Sequence, residues 1–205
     1  MSKASILKPE QSYIYRSYFE MPYKPEDILA EIGYRLTRKR LALPKSTQLL
    51  ESLQMLQTKL EQRLTYVSLT SEAARRETLI APVLMEVAEI AQAQLRIEYP
   101  LNVNNFLKGT LDYFLYRESQ VIVIEAKNAD LARGFTQLAA ELIALDQWSD
   151  SQQPILLGAV TTGDVWQFGQ LHRIEKLVLQ DTQRYVLPND LESLMRIFLL
   201  ALEKA

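Results

Sequence analysis

Apolar residues recur at helical spacing in two segments of the first third of the chain. In the first, a Pro-Glu-Asp sequence at 25–27 precedes the apolar positions Ile28, Leu29, Ile32 and Leu36. Proline in a first turn and acids at the positive end are typical of a helix start, so the spacing predicts a helix over about 25–38. In the second, leucines recur every three or four residues after Ser46, a favoured N-cap type, which predicts a helix over about 46–65.

The leucines of the second segment form one stripe: Leu49, Leu50, Leu53, Leu56, Leu60 and Leu64. Packing against the first helix and a seam between two copies both fit this stripe. Residues 1–20 are rich in tyrosine and predict an ordered arm packed on the body. We therefore divide the chain into an N-terminal arm with a helical extension, residues 1–66, and a core, residues 67–205.

The core begins with a long helical pattern from about residue 71, with Ser71 or Thr70 as its cap. Pro82 lies inside this pattern and predicts a kink or break. Short apolar runs bounded by turn residues then predict strands at about 95–100, 107–117 and 120–126.

The remaining pattern predicts a further helix and several strands. Asp130 caps a helix that runs to Trp148, a buried strand begins at Pro154, and a turn falls at 162–164. Two more strands at 165–171 and 174–179 and a closing helix from 188–190 to Leu202 complete the chain. The alternation indicates an α/β protein with a mixed central sheet flanked by helices.

Composition narrows the chemistry. The chain has 205 residues, no cysteine and one histidine, His172, which excludes thiolate metal sites and argues against a histidine-based triad or zinc site. The net charge of -2 argues mildly against non-specific coating of nucleic acid, but permits a nuclease with a basic groove. No signal peptide or membrane-length apolar run is recognisable, so we expect a cytoplasmic protein without a membrane partner.

Ionisable residues interrupt the second and third predicted strands. Asp112 lies in the middle of an apolar strand, and the next strand ends in Glu125 and Lys127, which project from the same side. Burying unpaired charge costs free energy, and a bound metal would account for this arrangement. Carboxylates are ligands for Mg²⁺, with Mn²⁺ as a substitute, and a neighbouring ammonium can stabilise charge on a phosphate. A surface acid and a surface ion pair are the alternatives.

At these residues the chain resembles the PD-(D/E)XK, or restriction-endonuclease-like, nuclease superfamily. Asp112 and Glu125-Ala126-Lys127 fit its acidic pattern, although Leu111 replaces the proline of the family name. Three further segments, 71–84, 134–142 and 158–168, resemble the nuclease domain of type I restriction R subunits and related single-domain proteins. They contain a Leu-Ile-x-Pro-x-Leu run, a glutamine helix and a Gly-x-x-Thr-x-Gly-x-x-Trp-x-Phe strand pair, and they follow in the family's order.

The resemblance implies an αβββαβ core and a set of roles. Asp112, Glu125 and the carbonyl of Ala126 would bind the metal, and Lys127 would position water or offset charge on the phosphate. Gln137 would order Lys127, a water or a phosphate oxygen; a solvent-facing glutamine is equally open. The implied activity is Mg²⁺-dependent hydrolysis of DNA, and cleavage of both strands would require a homodimer or a partner protein.

The sequence leaves open which acid on the first core helix belongs to the site. Glu72 matches the family's helix acid, and at 100° per residue it extends the core-facing stripe. Glu77 and Glu86 remain candidates, and Glu72 could serve the helix dipole alone. Two other functions stay open: a catalytically inactive DNA-binding or scaffolding protein on the same fold, and a helical adaptor that uses the leucine stripe.

Overall fold

The computed structural model describes residues 5–127, 129–149 and 153–203. Within these ranges eight strands form one mixed sheet, in the order β1-β7-β6-β5-β4-β3-β2, with β8 paired to β6. The strands are β1 Arg35–Lys39, β2 Gln94–Asn102, β3 Lys108–Arg117, β4 Gln120–Ala126, β5 Ile155–Thr161, β6 Val165–His172, β7 Leu177–Asp181 and β8 Tyr185–Val186. The helices are α1 Tyr15–Glu20, α2 Pro25–Glu31, α3 Leu53–Tyr66, α4 Glu72–Arg75, α5 Ala81–Ala91, α6 Leu131–Trp148 and α7 Leu191–Leu202, with a π-helical segment Arg76–Ile80 between α4 and α5.

The sheet combines an antiparallel meander with parallel crossovers. Strands β2, β3 and β4 pair antiparallel in sequence, and α6 then returns the chain so that β5 pairs parallel with β4. Strands β5, β6 and β7 continue antiparallel, and β1 adds parallel to β7. The α/β class and the mixed sheet predicted from sequence are confirmed.

Helices cover both faces of the sheet and form two apolar layers. Helices α3, α5 and α7 pack on one face, where Ile124, Trp166 and Phe168 are buried. Helices α1, α2 and α6 pack on the other face, against Val123 and neighbouring strand residues. Glu125 shares the strand parity of Val123 and therefore lies on the α6 face.

Pro82 explains the π-helical segment. Proline has no N–H to donate to the carbonyl four residues earlier, and its ring clashes with that carbonyl. The chain widens instead: the Ala81 N–H bonds to the carbonyl of Arg76, five residues back, and the Thr78 carbonyl accepts from the Arg63 guanidinium at 3.5 Å. The predicted irregularity at Pro82 is thus one widened turn in a continuous helical run.

The helix predicted over 25–38 is wrong in its second half. Helix α2 ends at Glu31, and Gly33, with φ of +84°, reverses the chain. The N–H groups of Gly33 and Tyr34 bond to the carbonyls of Ala30 and Leu29, which is a Schellman motif. Residues 35–39 then form the edge strand β1, so part of the predicted N-terminal extension belongs to the sheet.

The helix predicted over 46–65 begins seven residues later, at Leu53. Ser46 is not its cap. Its N–H bonds to the Arg196 carbonyl at 2.9 Å, and its hydroxyl donates to Glu203. Long-range contacts with α7 therefore hold this segment extended.

The leucine stripe is divided between core and surface. Leu50, Leu56 and Leu60 are buried in the layer beside α5 and α7, whereas Leu49 and Leu64 are exposed. Packing in the core accounts for the buried part of the stripe.

Smaller differences concern the last strands. The strand predicted over 174–179 is β7, Leu177–Asp181, because residues before it form a turn in which Lys176 has φ of +47°. In the part of the chain that the structure describes, no helix is long and apolar enough to cross a membrane.

Candidate functional site

Asp112 and Glu125 lie just beyond the end of the β3–β4 ladder. The last paired residues of that ladder are Tyr113 and Ile124, and the two acids are the next residues on their strands. The backbone N–H of Ala126 donates to Asp112 Oδ2 at 2.8 Å, which fixes that carboxylate at the strand end. The two acids predicted as metal ligands therefore share one edge of the sheet.

An open cleft of about 700 Å³ contains all five predicted side chains. These are Glu72, Asp112, Glu125, Lys127 and Gln137. Helix α1 forms one wall, through Tyr15 and Phe19 among others. The sequence-predicted site is thus brought together in a single concavity, with a wall that sequence reasoning did not assign to it.

Glu125 is buried, with 1% of its surface exposed, and among the described residues its carboxylate oxygens accept no hydrogen bond besides the ion pair with the Lys127 ammonium. Burial raises the pKa of Glu125 well above its ordinary value, and the negative charges of Glu141 and Asp112 raise it further. Lys127 lowers it only in part. A second cation beside Glu125 would relieve this electrostatic cost.

Glu141 on α6 faces Glu125 and was not among the residues predicted for the site. It is fully buried, and Gln137 Nε2 donates to its Oε1 at 2.9 Å. Burial raises the pKa of Glu141 to about 8. The hydrogen bond between the two acids raises the pKa of Glu125 and lowers that of Glu141, so Glu125 is the proton donor of the pair. The signal in the sequence was a lone glutamate inside the apolar run Leu138–Leu145.

Gln137 therefore contacts Glu141, one member of the acidic pair. Its side chain is buried on α6, one turn before Glu141. Asp130 caps this helix through a 3.1 Å bond to the Arg133 N–H, as predicted, and so sets where Gln137 and Glu141 meet the sheet.

Lys127 is held from three directions. Its ammonium pairs with Glu125 and lies 5.2 Å from the centroid of the Phe19 ring. Gly134 of α6 passes close to its stem, since a Cβ at that position would lie 3.0 Å from Lys127 Cγ. Burial alone would lower the pKa of Lys127, but the nearby carboxylate of Glu125 outweighs it and raises the pKa. Lys127 is consequently a fixed cation and donor, not a general base.

Arg76 lies on the other side of Asp112. Its guanidinium is 3.7 Å from Asp112 Oδ1 and 3.5 Å from Glu98, and it covers the Tyr113 ring at 5.1 Å. Glu98 stands opposite Asp112 on β2 and has φ of +55°, a conformation that costs a glutamate free energy. Arg76 therefore pairs with acids on both β2 and β3.

Glu72 alone of the three candidate helix acids lines the cleft. It is the first residue of α4, which Ser71 caps through a 3.1 Å bond to the Ala74 N–H. Glu77 is exposed, and Glu86 accepts a hydrogen bond from Ser52. The rotation of 100° per residue, used to place Glu72 from the sequence, does not apply through the π-helical segment. The position of Glu72 is set instead by the capped start of α4.

The oxygen atoms available as metal ligands in the cleft suit a hard cation that needs few ligands from the protein. Within the described ranges, no group of three or more histidine, aspartate or glutamate side chains is arranged to hold a metal. Mg²⁺ needs only one or two carboxylates because it keeps several waters. Asp112 and Glu125, with the Ala126 carbonyl, meet that requirement, and the Glu125 oxygens have coordination capacity left.

Comparisons with known proteins add no assignment. No protein-family model matches this sequence, and no match was found among curated proteins or solved structures.

Proposed function

We propose that the cleft hydrolyses phosphodiester bonds of DNA with Mg²⁺ held by Asp112, Glu125 and the Ala126 carbonyl. The observation that carries this proposal is that Asp112 and the buried Glu125 lie near each other in one open cleft, with Lys127 beside them. Folding alone does not favour such a cluster, since removing charged carboxylates from water costs free energy that even an ion pair often fails to offset. When bound, the cation would activate water and stabilise charge on the phosphate.

The protein's own groups would divide the remaining work. Lys127 keeps its proton and can donate to a phosphate oxygen at the cleft. Glu125 can share a proton with Glu141, which Gln137 holds, until a cation takes the place of that proton. The Ala126 N–H keeps Asp112 Oδ2 directed along the strand edge, which leaves Oδ1 toward the cleft side and Arg76.

The order of elements supports a restriction-endonuclease-like core. The helical run α4–α5, strands β2, β3 and β4, helix α6 and strand β5 follow each other as helix, three strands, helix, strand. Asp112 lies in the middle of β3 and Glu125 near the end of the adjoining strand β4, where the superfamily resemblance expects its acids. We propose this fold family on those two grounds.

A cleavage assay tests the proposal. Linear, supercoiled, branched and single-stranded DNA are incubated with the protein and Mn²⁺ or Mg²⁺. We expect cleavage that EDTA abolishes and that Lys127→Ala reduces by about 100-fold or more, in line with the loss of one electrostatic group at a transition state. Lys59→Ala, which removes an exposed lysine from α3, is the matched control and should cleave like wild type. Metal-independent cleavage would contradict the proposal.

The second candidate is a catalytically inactive DNA-binding or scaffolding protein on this fold. The pairing of Lys127 with Glu125 and of Arg16 with Glu20 favours it, because acids engage both of these cations that line the cleft. The net charge of -2 points the same way. DNA binding that is unaffected by divalent cations, without cleavage of any substrate, would support this candidate over hydrolysis.

If the enzyme cuts both strands of a duplex, a homodimer or partner chain is needed to supply the second site.

A further inference from the structure

A second pocket lies on the same face of the sheet as the cleft, at the opposite end of α6. The start of α6 adjoins the cleft through Asp130, whereas its last residue, Trp148, lines this pocket. Strand β3 runs between the two sites. Its residues Asp112, Phe114 and Tyr116 are two apart in sequence, so their side chains project from the same face of the sheet. Two residues of a β-strand span about 7 Å. A DNA strand bound at Asp112 can therefore reach the pocket with a few nucleotides.

The pocket is built from a continuous aromatic surface. The Tyr99 and Phe114 rings stack with centroids 5.4 Å apart, and Phe114 stacks on Tyr116 at 5.6 Å. Trp148 meets Tyr99 edge-on at 6.2 Å, and 47% of its surface is exposed. The volume is about 400 Å³, within the range of roughly 300–1,000 Å³ that small-ligand sites occupy.

Arg96 gives this aromatic surface a positive charge. Its guanidinium lies 4.9 Å from the centroids of both Tyr99 and Tyr116 and donates to the Tyr116 hydroxyl at 3.0 Å. Across the described part of the chain, Arg96 makes no ion pair, in contrast to Arg76, which pairs with Asp112 and Glu98. Its charge is therefore available to a phosphate, and the rings hold its plane in place.

We propose that this pocket binds a base of single-stranded DNA, with Arg96 on the adjoining phosphate. Aromatic side chains stack on any base, and arginine neutralises the backbone. Bases inside a duplex are stacked on each other, so the occupant must come from a single-stranded region or an end. A methylated ammonium is the other ligand that aromatic cages take, and the cation of Arg96 between the rings disfavours it. This inference rests on the proposed function, because it assumes that DNA is the substrate. It adds that the substrate has a single-stranded region or an end.

Trp148 provides a direct readout. The chain has two tryptophans, and Trp166 is fully buried with its Nε1 bonded to the Gly163 carbonyl, so quenching by a ligand reports on Trp148. Oligo(dT) of about ten nucleotides is titrated in EDTA, beside an abasic oligonucleotide of the same length. We expect oligo(dT) to quench the emission and the abasic strand to leave it unchanged. Equal responses to both strands would overturn the proposal.

Two substitutions separate stacking from charge. Trp148→Leu should weaken oligo(dT) binding by about tenfold, measured by anisotropy. Arg96→Gln should lower the slope of log affinity against log salt by about 0.7. The controls, Tyr66→Leu and Arg184→Gln, remove an exposed aromatic ring and an exposed charge elsewhere and should bind like wild type. The buried Trp166 emission and the melting temperature establish that each variant is folded.

One further variant distinguishes failure of the pocket from failure of the catalytic proposal. In EDTA, Asp112→Ala should bind oligo(dT) and quench Trp148 as wild type does, whatever its effect on cleavage. If metal-dependent cleavage stands but Trp148→Leu binds oligo(dT) with wild-type affinity, the pocket proposal is wrong and the proposed function survives. Quenching by tetramethylammonium with no response to oligo(dT) would also overturn it.

Discussion

Glu125 of β4 and Glu141 of α6 face one another inside the protein, and the pKa of each is raised, first by burial. Gln137 on α6, Lys127 directly after β4 and Asp112 on β3 complete the polar surroundings of the pair. Ionising both acids costs free energy because the two negative charges repel each other. A cation bound beside them would offset that repulsion. This relationship connects the stability of the protein to its proposed chemistry.

The first prediction is a pH dependence of stability. Because the folded protein keeps the Glu141 proton up to about pH 8 while the unfolded chain releases it near 4.5, the free energy of unfolding should fall as pH rises between these values. Below this window both states are protonated and the stability is retained. Glu141→Gln should reduce the slope and stabilise the metal-free protein at pH 8, by on the order of 1–3 kcal/mol.

Urea denaturation at several pH values measures this effect. Glu77→Gln changes an exposed glutamate on the neighbouring helical segment and serves as the control. A slope in Glu141→Gln equal to that of wild type would show that Glu141 ionises normally in the folded protein.

The second prediction concerns Glu72. If this cleft residue completes the acidic cluster, Glu72→Gln should slightly stabilise the metal-free protein and weaken Mn²⁺ binding several-fold, since about 1 kcal/mol corresponds to a fivefold change. If it acts only on the helix dipole, the substitution should cost a few tenths of a kcal/mol and leave metal affinity unchanged. Calorimetric Mn²⁺ titration of Glu72→Gln and Glu77→Gln decides between the two.

The third prediction concerns the wall formed by α1. Tyr15 donates to the Leu101 carbonyl at 2.7 Å and packs on Gly109, where a Cβ would lie 2.9 Å from the Tyr15 ring. Gly109 also has φ of +142°. Gly109→Ala should therefore destabilise the protein by about 2–4 kcal/mol, through backbone strain and overpacking together.

Gly33→Ala is the matched comparison, because Gly33 has φ of +84° but open space around its Cβ position. It should cost only about 1–2 kcal/mol of backbone strain. Equal losses in the two variants, measured by denaturant midpoints, would mean that Tyr15 does not hold α1 against the strand.

The sequence predicted elements whose signals are local. The β3–β4 hairpin and the Asp130-capped α6 follow from alternation and capping within a few residues. Gly33 was also a local signal, and its omission extended α2 into what is the strand β1. The extended segment around Ser46 had no local signal, because it depends on Arg196, 150 residues away.

The candidate site shows the same division. Asp112, Glu125 and Lys127 could be predicted because strand pairing and parity place them. Phe19 and Glu141 could not be placed in the site from sequence, since their positions depend on how α1 and α6 pack on the sheet. The role of Arg76 likewise depends on a helical turn widened by a proline six residues later.

The most direct test of the central claim is a Mn²⁺ and Mg²⁺ titration followed by melting temperature, for wild type and Asp112→Ala. A cation that binds the folded state at 100 times its Kd should add about 2.7 kcal/mol of stability, a shift of several degrees for a domain of this size. Wild type should show this shift, Asp112→Ala should lose it, and Glu77→Gln should keep it. No shift in wild type, or an equal shift in Asp112→Ala, would contradict a metal site formed by Asp112 and Glu125.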